Sequence, residues 1–186
     1  FLSYPEFTSL EYVDWEFAFH SNWGYEGDYA GPGLPALIML NYLSYYGNDN
    51  MTSVPEFTNL TTIRQWLNMY NNQHLTSFPS FPALTHIQYG GINGYNCTSM
   101  TSVGTFLPSV VRIGGDVNFQ NCALDQESID AILVKLASLD GSGGTTSYDS
   151  RTITLNNGTN AYPSETGLAA ISTLEGRGCT VYYNTP

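Results

Sequence analysis

The chain has 186 residues, of which 42% are hydrophobic: enough for one domain with a sizeable core, and too apolar for a disordered segment. Only 11% are charged and the formal net charge is −11, so the basic footprint that nucleic acids or anionic membranes require is missing. No apolar run approaches the roughly 18 residues of a membrane span.

The cations are Lys135, Arg64, Arg112, Arg151 and Arg177, and the polar surface must come from Asn, Ser, Thr, Gly and Tyr. That mix suits proteins outside cells or on virions. No signal peptide is visible ahead of Phe1, and the expectation is a processed chain or a piece of a longer one. Cys97, Cys122 and Cys179 are too few and unsuitably spaced for a disulfide framework or zinc motif. Cys97 and Cys122 lie about one repeat apart, and at most one pair could bridge. N-x-S/T sequons occur at Asn50, Asn59, Asn96 and Asn157 and matter only in a eukaryotic secretory pathway.

In chain order, one element recurs. Residues 2–10 read Leu-Ser-Tyr-Pro-Glu-Phe-Thr-Ser-Leu; residues 51–60 read Met-Thr-Ser-Val-Pro-Glu-Phe-Thr-Asn-Leu. Residues 75–84 match the latter position for position, and residues 100–110 do so with one extra residue. Leu34 to Leu37 is its second half. After each copy comes apolar-x-apolar-x-x-Asn: Phe17, Phe19 and Asn22; Leu43, Tyr45 and Asn48; Leu67, Met69 and Asn72; then Val117, Phe119 and Cys122. The fourth copy is degraded, with Gly91, Asn93 and Asn96 holding the places. The spacings of positions 22, 48, 72, 96 and 122 are 26, 24, 24 and 26.

Alternating apolar residues imply a short strand with one face inward. A polar residue three places on, in a turn, can bond the free backbone groups of the next coil. The Pro-x-Phe stretch returns the chain by an irregular path, since proline excludes a long helix there. This pattern resembles the leucine-rich-repeat family, whose signature is L-x-x-L-x-L-x-x-N/C-x-L with a period of about 20–29 residues. The resemblance implies an α/β solenoid with a parallel sheet on the concave face and an irregular convex side over the first five coils. It covers residues 1–124.

Residues 125–186 are expected to continue the same domain as helix-bearing coils and a cap. Residues 125–140 predict a helix with Asp125 as N-cap and Ile129, Ile132, Leu133, Leu136 and Leu139 on one face, stopped by Gly141. Residues 153–155 predict a strand, 163–175 a second helix, and 179–183 a last strand. Residues 158–170 resemble the closing segment of leucine-rich-repeat regions in bacterial surface and phage structural proteins. No equivalent cap is read ahead of Phe1, and the N-terminal end is expected to be covered by a partner, preceded by further residues, or protected by the Trp15-to-Pro32 insertion.

The register places Glu16, Ala18 and His20 outward on the first strand, then Tyr42, Ser44 and Tyr46, then Trp66, Asn68 and Tyr70. Gly90, Ile92 and Gly94 follow, and Asp116, Asn118 and Gln120 end the face. Tyr42 with Trp66 and Tyr46 with Tyr70 are expected to form two lateral aromatic ladders. Glu16, His20, Tyr42, Tyr46, Trp66, Tyr70 and Asn118 are the candidate ligand-binding residues. Aromatics there serve either recognition or cross-strand stability. Asn22, Asn48, Asn72, Asn96 and Cys122 are the candidate structural ladder.

No catalytic motif is present, and His20, His74 and His86 are the only histidines. Glu16 and Asp116 are four coils apart, roughly 19 Å at strand spacing, too far to hydrolyse a glycosidic bond together. The loop of residues 25–33 has two carboxylates, marginal for a calcium ion wanting about 6–8 oxygens. Asn48-Asp49-Asn50 is better explained by the ladder turn, and residues 141–144 by a flexible loop. Neither cofactor nor metal is expected.

Two functions are compatible with this reading. One is a non-enzymatic structural or interaction protein of a virion surface, such as a phage capsid decoration or fibre, or of the extracellular space. The other is an extracellular recognition module that binds a host protein or glycan through an aromatic concave face. The expected partners are other proteins, including virion or cell-surface components, and a glycan, with neither nucleic acid nor membrane insertion.

Overall fold

A computed structural model describes residues 2–3, 6–22 and 27–186. The architecture is α/β. Its strands are β1 (Leu2–Ser3), β2 (Tyr12–His20), β3 (Tyr29–Ala30), β4 (Met39–Tyr46), β5 (Met51–Ser53), β6 (Thr62–Ile63), β7 (Leu67–Asn68), β8 (His86–Ile87), β9 (Ile92–Asn93), β10 (Arg112–Ile113) and β11 (Val117–Asn118). Then come α1 (Gln126–Ser138), β12 (Thr152–Leu155), α2 (Glu165–Gly176) and β13 (Thr180–Tyr183).

The main sheet has ten strands, and every pairing in it is parallel. It is a fork. β2 lies on one side of β4; on the other side β4 feeds two ribbons, β6-β8-β10 from its first half and β7-β9-β11-β12-β13 from its second. Each coil after β4 thus breaks one long strand into two short ones. Backbone bonds still link coils across the break, as from Leu67 N–H to Gly91 C=O at 3.1 Å. The break sits at residues 64–66, 88–91 and 114–116, where the last two coils carry glycine pairs. A Cβ on Gly91 would lie 1.9 Å from the Asp116 carbonyl oxygen, so only glycine lets these coils stack.

Ile63, Ile87 and Ile113 point inward from one ribbon; Leu43, Leu67, Ile92, Val117 and Ile153 do so from the other. The fourth coil differs from the sequence expectation by one residue. Ile92, not Gly91, aligns with Leu67 and Val117. Ile92 and Gly94 therefore face the core, while Asn93 and Tyr95 take the outward places. The reason is steric: Phe119 fills the space beside position 94, and a Cβ there would come within 2.7 Å of its ring.

The opposite side is more ordered than expected. β1, β3 and β5 form a three-stranded parallel sheet, and Ser77 and Ser102 extend it as an isolated bridge. The recurring apolar-Thr-Ser element explains it: Met51, Leu75 and Met100 are buried, and the alternating threonine is β-branched. Thr101 N–H reaches Thr76 C=O at 3.0 Å, and Asp125 N–H reaches Thr101 C=O at 3.0 Å. Pro55 and Pro79 keep these strands short by removing a donor. Between the two sides Phe57 and Phe81 stack at 4.9 Å, and Phe78, Phe106 and Phe119 pack edge to face or tilted beyond them.

The last two coils carry the helices. Asp125 caps α1 by accepting from Ser128 N–H at 2.8 Å, and Ile129, Ile132, Leu133, Leu136 and Leu139 are wholly buried. Ser164 caps α2, and Asp130 of α1 accepts from both its N–H and its hydroxyl. Arg177 donates to the Leu139 and Ala137 carbonyls at 3.0 and 2.7 Å, closing the C-terminus of α1.

Candidate interaction surfaces

The inner turn of each coil holds the stack together. Asn22 Nδ2 donates to Asn48 Oδ1 at 2.8 Å. Asn48 N–H donates to Asn72 Oδ1 at 2.9 Å, and Asn48 Nδ2 to the Phe19 carbonyl at 2.9 Å. Asn72 Nδ2 reaches the Tyr45 and Met69 carbonyls at 2.6 and 2.7 Å. In the fourth coil the same place belongs to Cys97, which corrects the assignment of Asn96. Cys97 Sγ donates to the Met69 carbonyl at 3.1 Å and accepts from the Asn72 N–H. Cys122 repeats this one coil on, with Sγ 3.2 Å from the Gly94 carbonyl and the Cys97 N–H bonded to it. Both thiols are free, as is that of Cys179. Asn160 continues the row, bonding the Phe119 and Leu155 carbonyls and the Leu124 N–H.

Asn96 belongs to a second row one residue earlier. Ser21, Gly47, Asn71, Asn96, Asn121 and Asn157 all have φ between 56° and 65°. Asparagine tolerates this left-handed conformation better than most residues. Asn96 Nδ2 donates to Asn71 Oδ1 at 2.9 Å, and Asn121 Nδ2 to Asn96 Oδ1 at 2.7 Å.

On the outward face of the sheet, His20 stacks on Tyr46 at 4.6 Å, Tyr46 on Tyr70 at 4.8 Å and Tyr70 on Tyr95 at 5.0 Å, all within 12° of coplanar. Tyr95, unforeseen from the sequence, enters this row because of the one-residue shift. Burial, then the neighbouring Tyr46 and Tyr95 phenols and the Glu16 carboxylate, raises the Tyr70 phenol above its ordinary value. Tyr46 and Tyr70 are stacked on both faces, and His20 and Tyr95 end the row with one stacked face each.

The second expected ladder does not form. Tyr42 meets the exposed Trp15 at 5.6 Å, while Trp66 leans over the glycine pair of the next coil, where a Cβ on Gly90 would lie 2.9 Å from its ring. There Trp66 lines a shallow recess of about 180 Å³ with Asn93, Asp116, Asn118 and Thr154. Glu16 and His20 are exposed on β2, Tyr42, Tyr46, Trp66, Tyr70 and Asn118 are half-buried, and Asn68 donates to Ser44 Oγ at 3.2 Å.

The first coil is the other distinctive surface. Among the described strands β2 has a single neighbour, β4, and Phe7, Tyr12 and Trp15 are 45%, 55% and 69% exposed. At the far end β13 also has a single neighbour among the described strands, β12, and its Tyr182 is exposed.

Tyr25 and Glu26 of the acidic loop lie outside the described residues. Asp28 of that loop is 3.7 Å from His74. Among the described residues no three His, Cys, Asp or Glu side chains converge as a metal site, and no helix is long and apolar enough to cross a membrane. No family model matches the chain, and neither a curated protein nor a solved structure is similar to it.

Proposed function

We propose that this protein is a leucine-rich-repeat solenoid that works without chemistry, as a structural or interaction component of a virion surface, such as a phage capsid decoration or fibre, or of the extracellular space. The coil spacing, the Asn/Cys ladder and the low lysine content support it. The observation that carries it is the Tyr12–Ala18 edge of β2, which no second described strand covers, beside exposed Phe7, Tyr12 and Trp15. An unpaired strand edge with large apolar neighbours is a template for another chain. The partner is a protein, and the chain itself offers a matching strand: β13 lies at the opposite edge of the same parallel sheet, with β12 as its one neighbour among the described strands. Head-to-tail addition of copies would continue the sheet and, being heterologous, build a fibre or ring. Sedimentation over a concentration series tests this. Association that Trp15→Glu abolishes supports it; a monomer at every concentration counts against it.

A second reading is recognition of a protein or glycan through the outward sheet face. The four-ring stack favours it by holding a row of polar ring edges rigid at low entropic cost. Loss of ligand capture in Tyr70→Ala, with association unchanged, would favour this reading over the first.

A further inference from the structure

The β6-β8-β10 ribbon carries a feature that the assembly reading does not use. A recess of about 300 Å³ opens there, lined by His86, Gln88, Tyr89, Arg112 and Thr146. Arg112 is half-buried, and its Nε donates to the Gln88 carbonyl at 2.9 Å. Its two Nη groups donate to none of the described residues, and no carboxylate lies within ion-pair distance of it among them. None of the five Lys or Arg residues has a carboxylate within ion-pair distance among the described residues, and Arg112 is the one of them that lines this recess. His86 Nδ1 meets Thr85 Oγ1 at 2.9 Å, which leaves Nε2 for the recess. Tyr89 is 68% exposed and stacks on no ring among the described residues.

We propose that this recess binds a sugar that carries a carboxylate. The anchored guanidinium offers two parallel N–H donors, the geometry a carboxylate takes bidentately. The free tyrosine face suits the C–H face of a sugar ring, and Gln88, His86 and Thr146 supply partners for its hydroxyls. An acidic peptide side chain would use the guanidinium but leave the aromatic face and the hydroxyl partners idle.

The test is titration of the whole chain with glucuronate, glucose, acetate and a glutamate-rich peptide, read by NMR at the Arg112 Nε–H and the Tyr89 ring. Glucuronate is expected to shift both signals to saturation. Glucose and acetate should each bind at least about tenfold more weakly. Arg112→Lys keeps the charge and loses the fork, and it should weaken glucuronate about tenfold. Tyr89→Ala, at an exposed side chain, should do likewise without changing the melting temperature. Acetate binding as tightly as glucuronate, tighter binding of the peptide, or no shift at these residues would each overturn the proposal.

Discussion

Asn72 joins two coils with one side chain: its Oδ1 accepts the Asn48 N–H at 2.9 Å while its Nδ2 donates to the Tyr45 carbonyl at 2.6 Å. It is wholly buried, so water cannot replace it. Asn72→Ala orphans that N–H and the Tyr45 and Met69 carbonyls, each costing about 1–3 kcal/mol. The expected loss is at least about 3 kcal/mol in urea unfolding, on the same per-group penalty.

Asn96 should behave differently. Its half-buried amide bonds only other asparagine side chains, so Asn96→Ala is expected to cost about 1–2 kcal/mol, mostly from left-handed backbone. A loss equal to that of Asn72→Ala would restore Asn96 to the inner ladder and contradict the Cys97 assignment.

This contrast shows what the sequence made legible. The periodicity of Leu43, Leu67 and Val117 placed the strands, and helix-spaced Ile129 to Leu139 placed α1, because burial writes those patterns directly. The fourth coil departs from that periodicity because Gly90-Gly91 and Gly94 answer to backbone approach and to the Phe119 ring, which lie a coil away. The usable signal was the pair at each turn: Asn71-Asn72, Asn96-Cys97 and Asn121-Cys122 align, with the left-handed residue first. Trp66 faced the expected side, but its lean over Gly90 depends on a neighbour's missing side chain. The Arg112 recess left no sequence pattern, since His86, Tyr89 and Arg112 meet only through coil stacking.

Alkali should destabilise the fold. Burial pushes the Cys122 thiol up to about 11 and also raises the Cys97 thiol and the Tyr45 and Tyr148 phenols. In the unfolded chain thiols ionise near pH 8.5 and phenols near about 10. Below roughly pH 8 both states keep these protons and the stability from them is fully present. As pH rises towards 11 the unfolded chain sheds protons that the folded one retains, so stability falls. Urea midpoints measured from pH 7 to pH 10.5 should be level at first and then decline; a rise across that window would contradict the burial of these groups. The same burial predicts that Cys97 and Cys122 react with a thiol reagent at pH 8 only after denaturation.

The ring stack should couple neighbours and not second neighbours. A double-mutant cycle between Tyr46 and Tyr70 is expected to give about 0.5–1.5 kcal/mol. The cycle between Tyr46 and Tyr95, which Tyr70 separates, should lie within about 0.5 kcal/mol of zero. Equal couplings would mean that the rings share something other than face contact.

Amide hydrogen exchange followed over a protein concentration series tests the central proposal most directly, because it reads the β2 and β13 edges separately. The account predicts that protection rises with concentration along Tyr12–His20 of β2 and Thr180–Tyr183 of β13 together, while β7 and β9 stay unchanged, and that Trp15→Glu removes the rise at both edges. Protection of β2 that stays the same at every concentration, or a rise confined to the outward face around Tyr46 and Tyr70, would contradict it.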